Sequence, residues 1–441
     1  MNPGIKHDME EAVDFLYGLP KFTTKNSPDH TRKLLALLGD PCFKRKIIHV
    51  AGSNGKGSVC CFLYHMLLAG GKTAALFTSP HLVDIRERFQ MNGGMVSGEE
   101  FLEGYRRVRS ASEELVRNNL NHPTFFEFIF VMGMVLFERA QTEYIVLETG
   151  LGGRLDATNS FPTPLLSVIT SISLEHTEIL GGTLAQIAAE KAGIIKPGVP
   201  LVFCDDDAES ADVIRRRADA LGCPQYPISK KLFRNYEIKE EGIDFSLSTA
   251  YDKSKRGAFR WTVPGYAAYQ AENAALAITA MHVLDLMDDE VIQRGLSEAK
   301  WPGRMQEVVP EIFFDGAHNP SGIAAFIESV RILTKDDGVP PLLLFSMVKE
   351  KDLHAAADLL TASVAWDAIA VTTVDGERGV PAETLRSLFF GDGGKAAACP
   401  VDSFADSREA FTAMRRRKKP GQKLFCTGSL YFVGELLRLI S

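Results

Sequence analysis

The sequence predicts an α/β protein with two domains, and three observations predict it. Its 441 residues correspond to two or three domains at roughly 150 residues each. Short apolar runs alternate with stretches of helical periodicity, the pattern of a parallel sheet covered by helices. Around residue 300 that pattern is interrupted by Pro302-Gly303, a helix-breaking turn signal, and then begins again. The expectation is an N-terminal domain over 1–297 on a mostly parallel sheet, and a smaller C-terminal Rossmann-like α/β domain over 298–441.

The elements follow in order. Residues 8–17 read as a helix. Lys46–Val50, Thr73–Phe77, Tyr144–Leu147, Leu166–Ile169 and Leu201–Phe203 read as buried strands, because each is a short, largely apolar run. Residues 58–69 read as a helix, with Val59, Phe62, Leu63, Met66 and Leu67 at helical spacing. The polar stretch 229–262 reads as a small antiparallel insert. Residues 270–297, rich in Ala and Leu, read as helical. Past the boundary near 298, Ile312–Phe314, Pro341–Phe345, Ala368–Thr372 and Lys423–Cys426 read as the strands of the second series. No repeat of fixed period is visible.

Composition narrows the function classes. Hydrophobic residues make up 45% and charged residues 24%, which excludes global disorder and collagen-like repeats. A net charge of −7 provides no domain-wide positive field, so no nucleic acid is expected as a partner. The best apolar run, Phe128 to Phe137, falls short of the roughly 20 residues that cross a bilayer, so no membrane is expected either. The first eight residues lack a basic segment followed by an apolar core, unlike a signal peptide. Seven cysteines, with no Cys-x-x-Cys spacing, argue against a disulfide framework and a thiolate zinc site. The expectation is a reduced, cytoplasmic, monomeric protein.

The chemistry concentrates at His49-Val50-Ala51-Gly52-Ser53-Asn54-Gly55-Lys56-Gly57-Ser58, which joins a strand to a helix. A glycine-rich turn lets backbone N–H groups approach phosphate oxygens. The helix start adds its dipole, the lysine adds charge, and the serine hydroxyl can reach a magnesium ion. The form present is Gly-x-x-Gly-Lys-Gly-Ser, a departure from the strict P-loop pattern at Val50 and Gly57. Tyr144 to Glu148 then places a carboxylate at the end of an apolar strand, as in a Walker B acid. Glycine-rich Thr149 to Asp156 follows at the same sheet edge, where ligands of open α/β sheets bind.

These residues, taken with others in order, resemble the folylpolyglutamate synthase/dihydrofolate synthase family of the Mur ligase superfamily. The matching segments are 49–58, Thr78-Ser79-Pro80-His81-Leu82, Thr124-Phe125-Phe126-Glu127, 148–159, Glu175-His176-Thr177, Glu190-Lys191-Ala192-Gly193-Ile194, Pro302-Gly303-Arg304 and Asp315-Gly316-Ala317-His318-Asn319-Pro320. The resemblance implies a P-loop ATPase domain in an ATP-dependent ligase that joins L-glutamate to a folate. ATP phosphorylates a substrate carboxylate, and the amine of glutamate attacks the acyl phosphate. Polyglutamylation of tetrahydrofolates is the first reading. Dihydrofolate synthesis from dihydropteroate is a companion activity left open.

The resemblance also implies roles. Asn54, Gly55, Lys56, Gly57 and Ser58 hold the triphosphate, with Asn273, Arg304 and Asp315 as further ATP contacts. Relatives often carry histidine where this chain has Tyr269. Ser79, Glu148 and His176 match magnesium ligands, with two ions expected, and Lys191 matches a lysine that is carbamylated in the family. On residue type alone, Lys191 reads as a surface helix lysine and His176 as a core or helix-start histidine. Thr124, Phe125, Phe126 and Glu127, together with Gly153, Arg154, Leu155 and Asp156, match segments lining the folate pocket. Core packing explains the two phenylalanines equally well. Ser429 and His318 are assigned to the glutamate pocket, and Lys56 and His318 are the candidate catalytic groups. Domain closure over the acyl phosphate is the expected way of excluding water.

Three signals read as structural. Arg415 to Lys419 fits the solvated C-terminal end of a helix, Asp205–Asp207 a polar loop, and Cys60–Cys61 packing. The alternatives are a Mur-type ligase on another carboxylate, a small-molecule P-loop kinase, and a nucleotide switch. The last lacks an Asn-Lys-x-Asp guanine-reading motif.

Overall fold

A computed structural model describes residues 3–20, 26–161, 163–239, 242–248, 259–390 and 396–440. The chain forms two units. The first comprises Met1–Arg234, Ser246–Arg260 and Glu272–Ala299, and the second Asn235–Phe245, Trp261–Ala271 and Lys300–Ser441.

The first unit is built on eight strands. They are β1 (Lys46–Ala51), β2 (Ala74–Phe77), β3 (Phe89–Met91), β4 (Gly94–Met95), β5 (Tyr144–Glu148), β6 (Leu166–Ile169), β7 (Leu201–Cys204) and β8 (Gln225–Ile228), in the order β4-β3-β2-β5-β1-β6-β7-β8. From β2 to β8 the pairs are parallel, while β3 and β4 add an antiparallel edge. The central strands are buried along their lengths, which is why they read as unbroken apolar runs. One face carries a core of aromatic residues, including Phe77, Phe89, Phe128, Phe130 and Phe137. These come largely from the helix Phe125–Arg139, apolar nearly all round because it is buried nearly all round.

Three further strands, β9 (Phe233–Lys239), β10 (Gly242–Leu247) and β11 (Trp261–Val263), form a small sheet in the order β11-β10-β9. The β10 and β11 strands pair antiparallel, as expected of the insert; its residues 249–258 lie outside the described ones. The expected helix over 270–297 is two helices, Gln270–Leu284 and Asp289–Glu298. Asp285 turns into the left-handed region at φ 54°, and Asp288 caps the second helix by accepting from Val291 N–H. The side-chain cap makes a break that Ala/Leu periodicity alone does not reveal.

The second unit carries β12 (Gln306–Val309), β13 (Ile312–Phe314), β14 (Leu342–Phe345), β15 (Ala368–Thr372), β16 (Val401–Phe404) and β17 (Leu424–Thr427), ordered β12-β13-β17-β14-β15-β16. All pairs but β12–β13 are parallel. The last strand to form in sequence, β17, therefore lies between the first two parallel ones. That is a topological switch, where open sheets offer a crevice at their carboxyl ends. The basic run begins in the last turn of the helix Ser407–Arg417, as expected. Its Arg417 pairs with Asp402, Lys418 with Glu311 and Lys419 with Asp367. Cys60 and Cys61 are fully buried, Asp207 caps the helix Ala208–Ala220, and all seven cysteines are free. Among the described residues no helix is long and apolar enough to cross a membrane.

Candidate active site

Register decides what meets at the carboxyl edge of the first sheet. Val50 pairs with Glu148, Ala51 with Ile169, and Phe77 with Leu147. The loops after β1, β2, β5 and β6 therefore leave the sheet within a residue of one another.

The loop after β1 is fixed by the one after β6. Ser53 N–H donates to Ser171 O (2.8 Å), and Ser53 Oγ donates to Ser173 O (3.0 Å). Asn54 O accepts from Thr170 Oγ1 (2.6 Å), and Asn54 Nδ2 donates to Ser173 Oγ (3.2 Å). Gly55 sits at φ 88°, before the helix Lys56–Ala69. A Cβ there would stand 2.2 Å from Asn273 Oδ1, so glycine is needed for both conformation and space. That close approach also brings predicted Asn273 to the loop. Gly57 and Ser58 are buried in the first turn, which carries no acidic residue, so its N–H groups and dipole are available to an anion. Lys56 Nζ rests on the carbonyls of Gly52 (2.9 Å) and Ser53 (3.1 Å).

Beside this cradle, Glu148 is buried and its Oε2 accepts from Ser79 N–H (2.9 Å). The predicted pair Ser79 and Glu148 is therefore adjacent. Both offer oxygen donors, the chemistry that suits magnesium. No three His, Cys, Asp or Glu side chains among the described residues are grouped to hold a metal. An ion here would rely on Ser79, Glu148, phosphate oxygens and water, as is common for magnesium.

Lys191 is not the surface residue its type suggests. Its side chain is 1% exposed. Its Nζ donates to Gly52 O (2.7 Å) and Glu175 Oε1 (2.8 Å). Burial lowers the Lys191 pKa to about 8, against the pull of Glu175. Burial opposes ionisation of Glu175, yet the positive charges of Lys191 and Lys56 outweigh it and bring that carboxyl to about 2. His176, next in sequence and half-buried, adopts left-handed φ 46° and caps a one-turn helix, which is not a core position.

The two segments assigned to folate are built differently from each other. Thr124 and Glu127 form a capping box at the helix Phe125–Arg139: Thr124 N–H donates to Glu127 Oε2 (2.7 Å) and Glu127 N–H to Thr124 Oγ1 (3.4 Å). Glu127 also accepts from Asn26 and Thr31. Phe126 packs edge-on to Phe77. Phe125 stacks on Tyr17 (5.8 Å between centroids), and the Arg88 guanidinium lies 5.4 Å from its ring. Tyr17 OH and Arg88 Nε both bond His81 (3.0 and 2.8 Å).

In the loop after β5, Asp156 is the fastener. Its Oδ2 accepts from Gly150 and Leu151 N–H (3.0 and 2.8 Å), and its Oδ1 from Thr158 N–H and Oγ1 (3.0 and 2.6 Å). Since the Thr158 proton goes to Asp156, buried His49 donates through Nε2 to Thr158 Oγ1 (2.8 Å). Burial holds His49 neutral, with its pKa lowered to about 3. Gly153 fits because a Cβ would lie 2.8 Å from the Glu190 and Lys191 carbonyls. Arg154 pairs with Glu190, while Leu155 is exposed.

In the second unit, β13 leads into Asp315. This carboxylate is 1% exposed. It accepts from Tyr269 OH (2.5 Å), Met305 N–H (2.8 Å) and Ala317 N–H (2.8 Å). Burial raises its pKa, against the positive charge of Arg304 and the hydrogen bond from Tyr269. His318 Nδ1 bonds Gly316 O (2.8 Å). A carbonyl only accepts, so Nδ1 carries the proton and Nε2 is the acceptor nitrogen of the neutral ring. Ser429, after β17, accepts from Tyr431 N–H (3.2 Å) at Oγ, and Thr427 Oγ1 donates to Ala317 O (3.5 Å). His318 and Ser429 therefore sit on neighbouring strand ends at the switch.

Sequence reasoning assigned no role to Glu175, Thr170, Ser173, His49 or Tyr17. Glu175 stood inside a matching segment, but no spacing rule points from it to Lys191. Tyr269 was marked only as a departure from relatives; its bond to Asp315 spans 46 positions.

Two family matches cover the chain: the Mur ligase middle domain over residues 50–281, and the Mur ligase glutamate ligase domain over 303–430. The chain belongs to the Mur ligase family. Within it, the relatives are folylpolyglutamate and dihydrofolate synthases. The dihydrofolate synthase/folylpolyglutamate synthase of Bacillus subtilis is 32% identical over 97% of this chain and 98% of its own length. The structure of E. coli FolC in complex with DHPP and ADP matches with a TM-score of 0.81 and 27% identity, over 97% of this chain and 96% of that one. The bifunctional folylpolyglutamate synthase/dihydrofolate synthase from Yersinia pestis, complexed with AMPPNP and Mn ion, matches with a TM-score of 0.81, 27% identity and 97% coverage of both. This family's two-domain α/β architecture is the one the sequence predicts.

Proposed function

We propose that this chain is an ATP-dependent ligase that adds L-glutamate to folates, and that tetrahydrofolates are its principal acceptors. The observation that carries the reading is the buried group at the first sheet edge. Lys56 rests on the Gly52 and Ser53 carbonyls at a helix start without acidic residues, in a chain of the family just named. Such an arrangement binds a polyphosphate and neutralises the charge that phosphoryl transfer moves.

A carboxylate is a poor electrophile until one oxygen becomes a leaving group. Its oxygen attacks the γ-phosphorus of ATP and ADP leaves. The glutamate amine then attacks the acyl carbon and loses a proton, and phosphate departs as the amide forms. In this scheme Asn54, Gly55, Gly57 and Ser58 orient the triphosphate through the loop, and Lys56 swings from its own carbonyls to the γ-phosphate. Asn273 and Arg304 add ATP contacts. Ser79 and Glu148 would hold magnesium, which supplies charge neutralisation on the phosphates when bound. His318 Nε2 faces the incoming amine as an acceptor, with Ser429 beside it. The loop fastened by Asp156, together with Phe125 and Phe126, carries the folate.

For Lys191 we propose carbamylation. A lysine brought to about pKa 8 keeps a neutral fraction near neutral pH. Its amine can add CO₂ and release a proton. The product is an anionic oxygen donor, suited together with His176 to a second ion. The reduced thiols and the use of ATP suit the cytoplasm.

The test is glutamate-dependent phosphate release with Mg-ATP and tetrahydrofolate, dihydropteroate or no acceptor, with products weighed by mass spectrometry. One added glutamate on tetrahydrofolate is the expected product. Addition to both acceptors makes the enzyme bifunctional. Phosphate transfer that needs no glutamate sinks the ligase reading in favour of a kinase.

A further inference from the structure

We infer that Arg378, held by Tyr431 and Glu350, is the group that reads the side-chain carboxylate of the incoming glutamate. The inference rests on the ligase reading above.

Arg378 lies in the loop after β15 and belongs to the same edge of the second sheet as Ser429. Two partners, Glu350 and Tyr431, fix it through three contacts. Its Nε donates to Glu350 Oε1 (2.8 Å) in the loop after β14. Its Nη1 donates to Tyr431 OH (3.0 Å), and its guanidinium lies 5.2 Å from the centre of the same ring. Its backbone is held as well: Lys349 N–H donates to Arg378 O (3.0 Å), and Val348 and Gly379 form an antiparallel bridge. An exposed Arg–Glu pair by itself contributes little. Here the pair orients a cation that two strand-end loops and a tyrosine already hold in place.

The guanidinium is not spent by these contacts. Arginine carries five N–H donors. Two are used, and the other three meet no acceptor among the described residues. The side chain is 38% exposed, and Tyr431 is exposed as well. A preorganised fork with an unused edge is what a carboxylate ligand needs.

Tyr431 supplies the scale. Its backbone N–H bonds Ser429 Oγ, and its phenol oxygen touches Arg378. The arginine therefore stands about one tyrosine side chain away from the Ser429–His318 end. In glutamate the α-carboxylate shares a carbon with the reacting amine, while the γ-carboxylate lies at the far end of the side chain. With the amine at His318, the γ-carboxylate is the one that extends towards Arg378.

The experiment uses the full chain with Mg-ATP and the folate acceptor. Glutamate KM, kcat and ATP KM are measured for wild type, R378Q, R378K and Y431F, with L-glutamine as the competing amine. We expect R378Q to raise glutamate KM about 10- to 100-fold, with ATP KM unchanged and most of the preference for glutamate over glutamine gone. R378K, which keeps the charge but not the fork, should fall between, and Y431F should raise glutamate KM less than R378Q. If R378Q fails to fold, R378K and Y431F carry the comparison. A glutamate KM within twofold of wild type in the folded variants, or an intact preference, overturns the inference. Wild type without glutamate-dependent turnover overturns the ligase reading itself.

Discussion

At the carboxyl edge of the first sheet the central charges are cations resting on oxygen. Lys56 leans on the carbonyls of Gly52 and Ser53, and Lys191 on Gly52 and Glu175. At the same edge of the second sheet the buried charge is an anion, Asp315, resting on donors from Tyr269, Met305 and Ala317. The difference separates Lys56, which rests on carbonyls alone and can change partners, from groups that are complete. A neutral carbonyl is a weak partner for an ammonium, and a phosphate oxygen replaces it readily. Asp315 has three short bonds within its own unit. In this chain its first task is to fix the turn that carries Arg304.

The largest expected effect comes from breaking the cationic side. In the chain with Lys191 unmodified, K191A leaves Glu175 buried without its partner and should cost about 3–5 kcal/mol of stability by urea unfolding. The double variant K191M/E175Q should recover much of that loss. A double variant no more stable than K191A would show that the pair is not coupled.

Next is the anionic side. Y269F removes one donor from a buried carboxylate and should cost about 1.5–3 kcal/mol. The pH dependence follows from the raised Asp315 pKa. Between the ordinary carboxylate value and the raised one, the folded chain keeps a proton that the unfolded chain has lost. Stability therefore falls as pH rises through that window. Losing the Tyr269 bond widens the window upward and should move the acid limb of activity to higher pH. Unfolding and activity profiles of Y269F that merely scale those of wild type would remove Tyr269 from this role.

The smallest effect is a reference pair remote from the phosphate loop. His30 Nε2 bonds Asn121 O (2.8 Å), so a neutral ring would turn a bare Nδ1 towards Glu127 Oε1 at 3.7 Å. The Glu127 carboxylate therefore raises the His30 pKa. That contribution is full below about 6.5 and disappears as pH rises through the raised value. H30Q should cost about 1 kcal/mol near pH 6 and less at pH 9, read from paired denaturation curves. A cost independent of pH would mean that His30 acts by packing alone.

What was legible in the sequence follows the same physics. Strands buried on both faces, such as β1, β5 and β15, appear as apolar runs and were placed within a residue or two. The β16 strand, half-exposed at the sheet edge, has no such run and was missed. The phosphate loop was legible because its chemistry is local. The burial of Lys191 was not, since Glu175 reaches it through the fold and the lysine lies on a short helix that reads as surface. Thr124-x-x-Glu127 carries the pattern of a capping box, a structural role that stands beside its proposed place in the folate pocket. The structure shows these two residues bonded to each other across the helix start.

Asp156 ties both ends of its loop to one carboxylate, so the backbone between Gly150 and Thr158 arrives already ordered. A ligand docking there freezes little that is not already frozen. Within that frame Leu155 points outward as an exposed apolar side chain. It is an exposed tip on a fixed mount, and under the folate reading proposed above a substitution there changes acceptor preference while leaving the fold untouched.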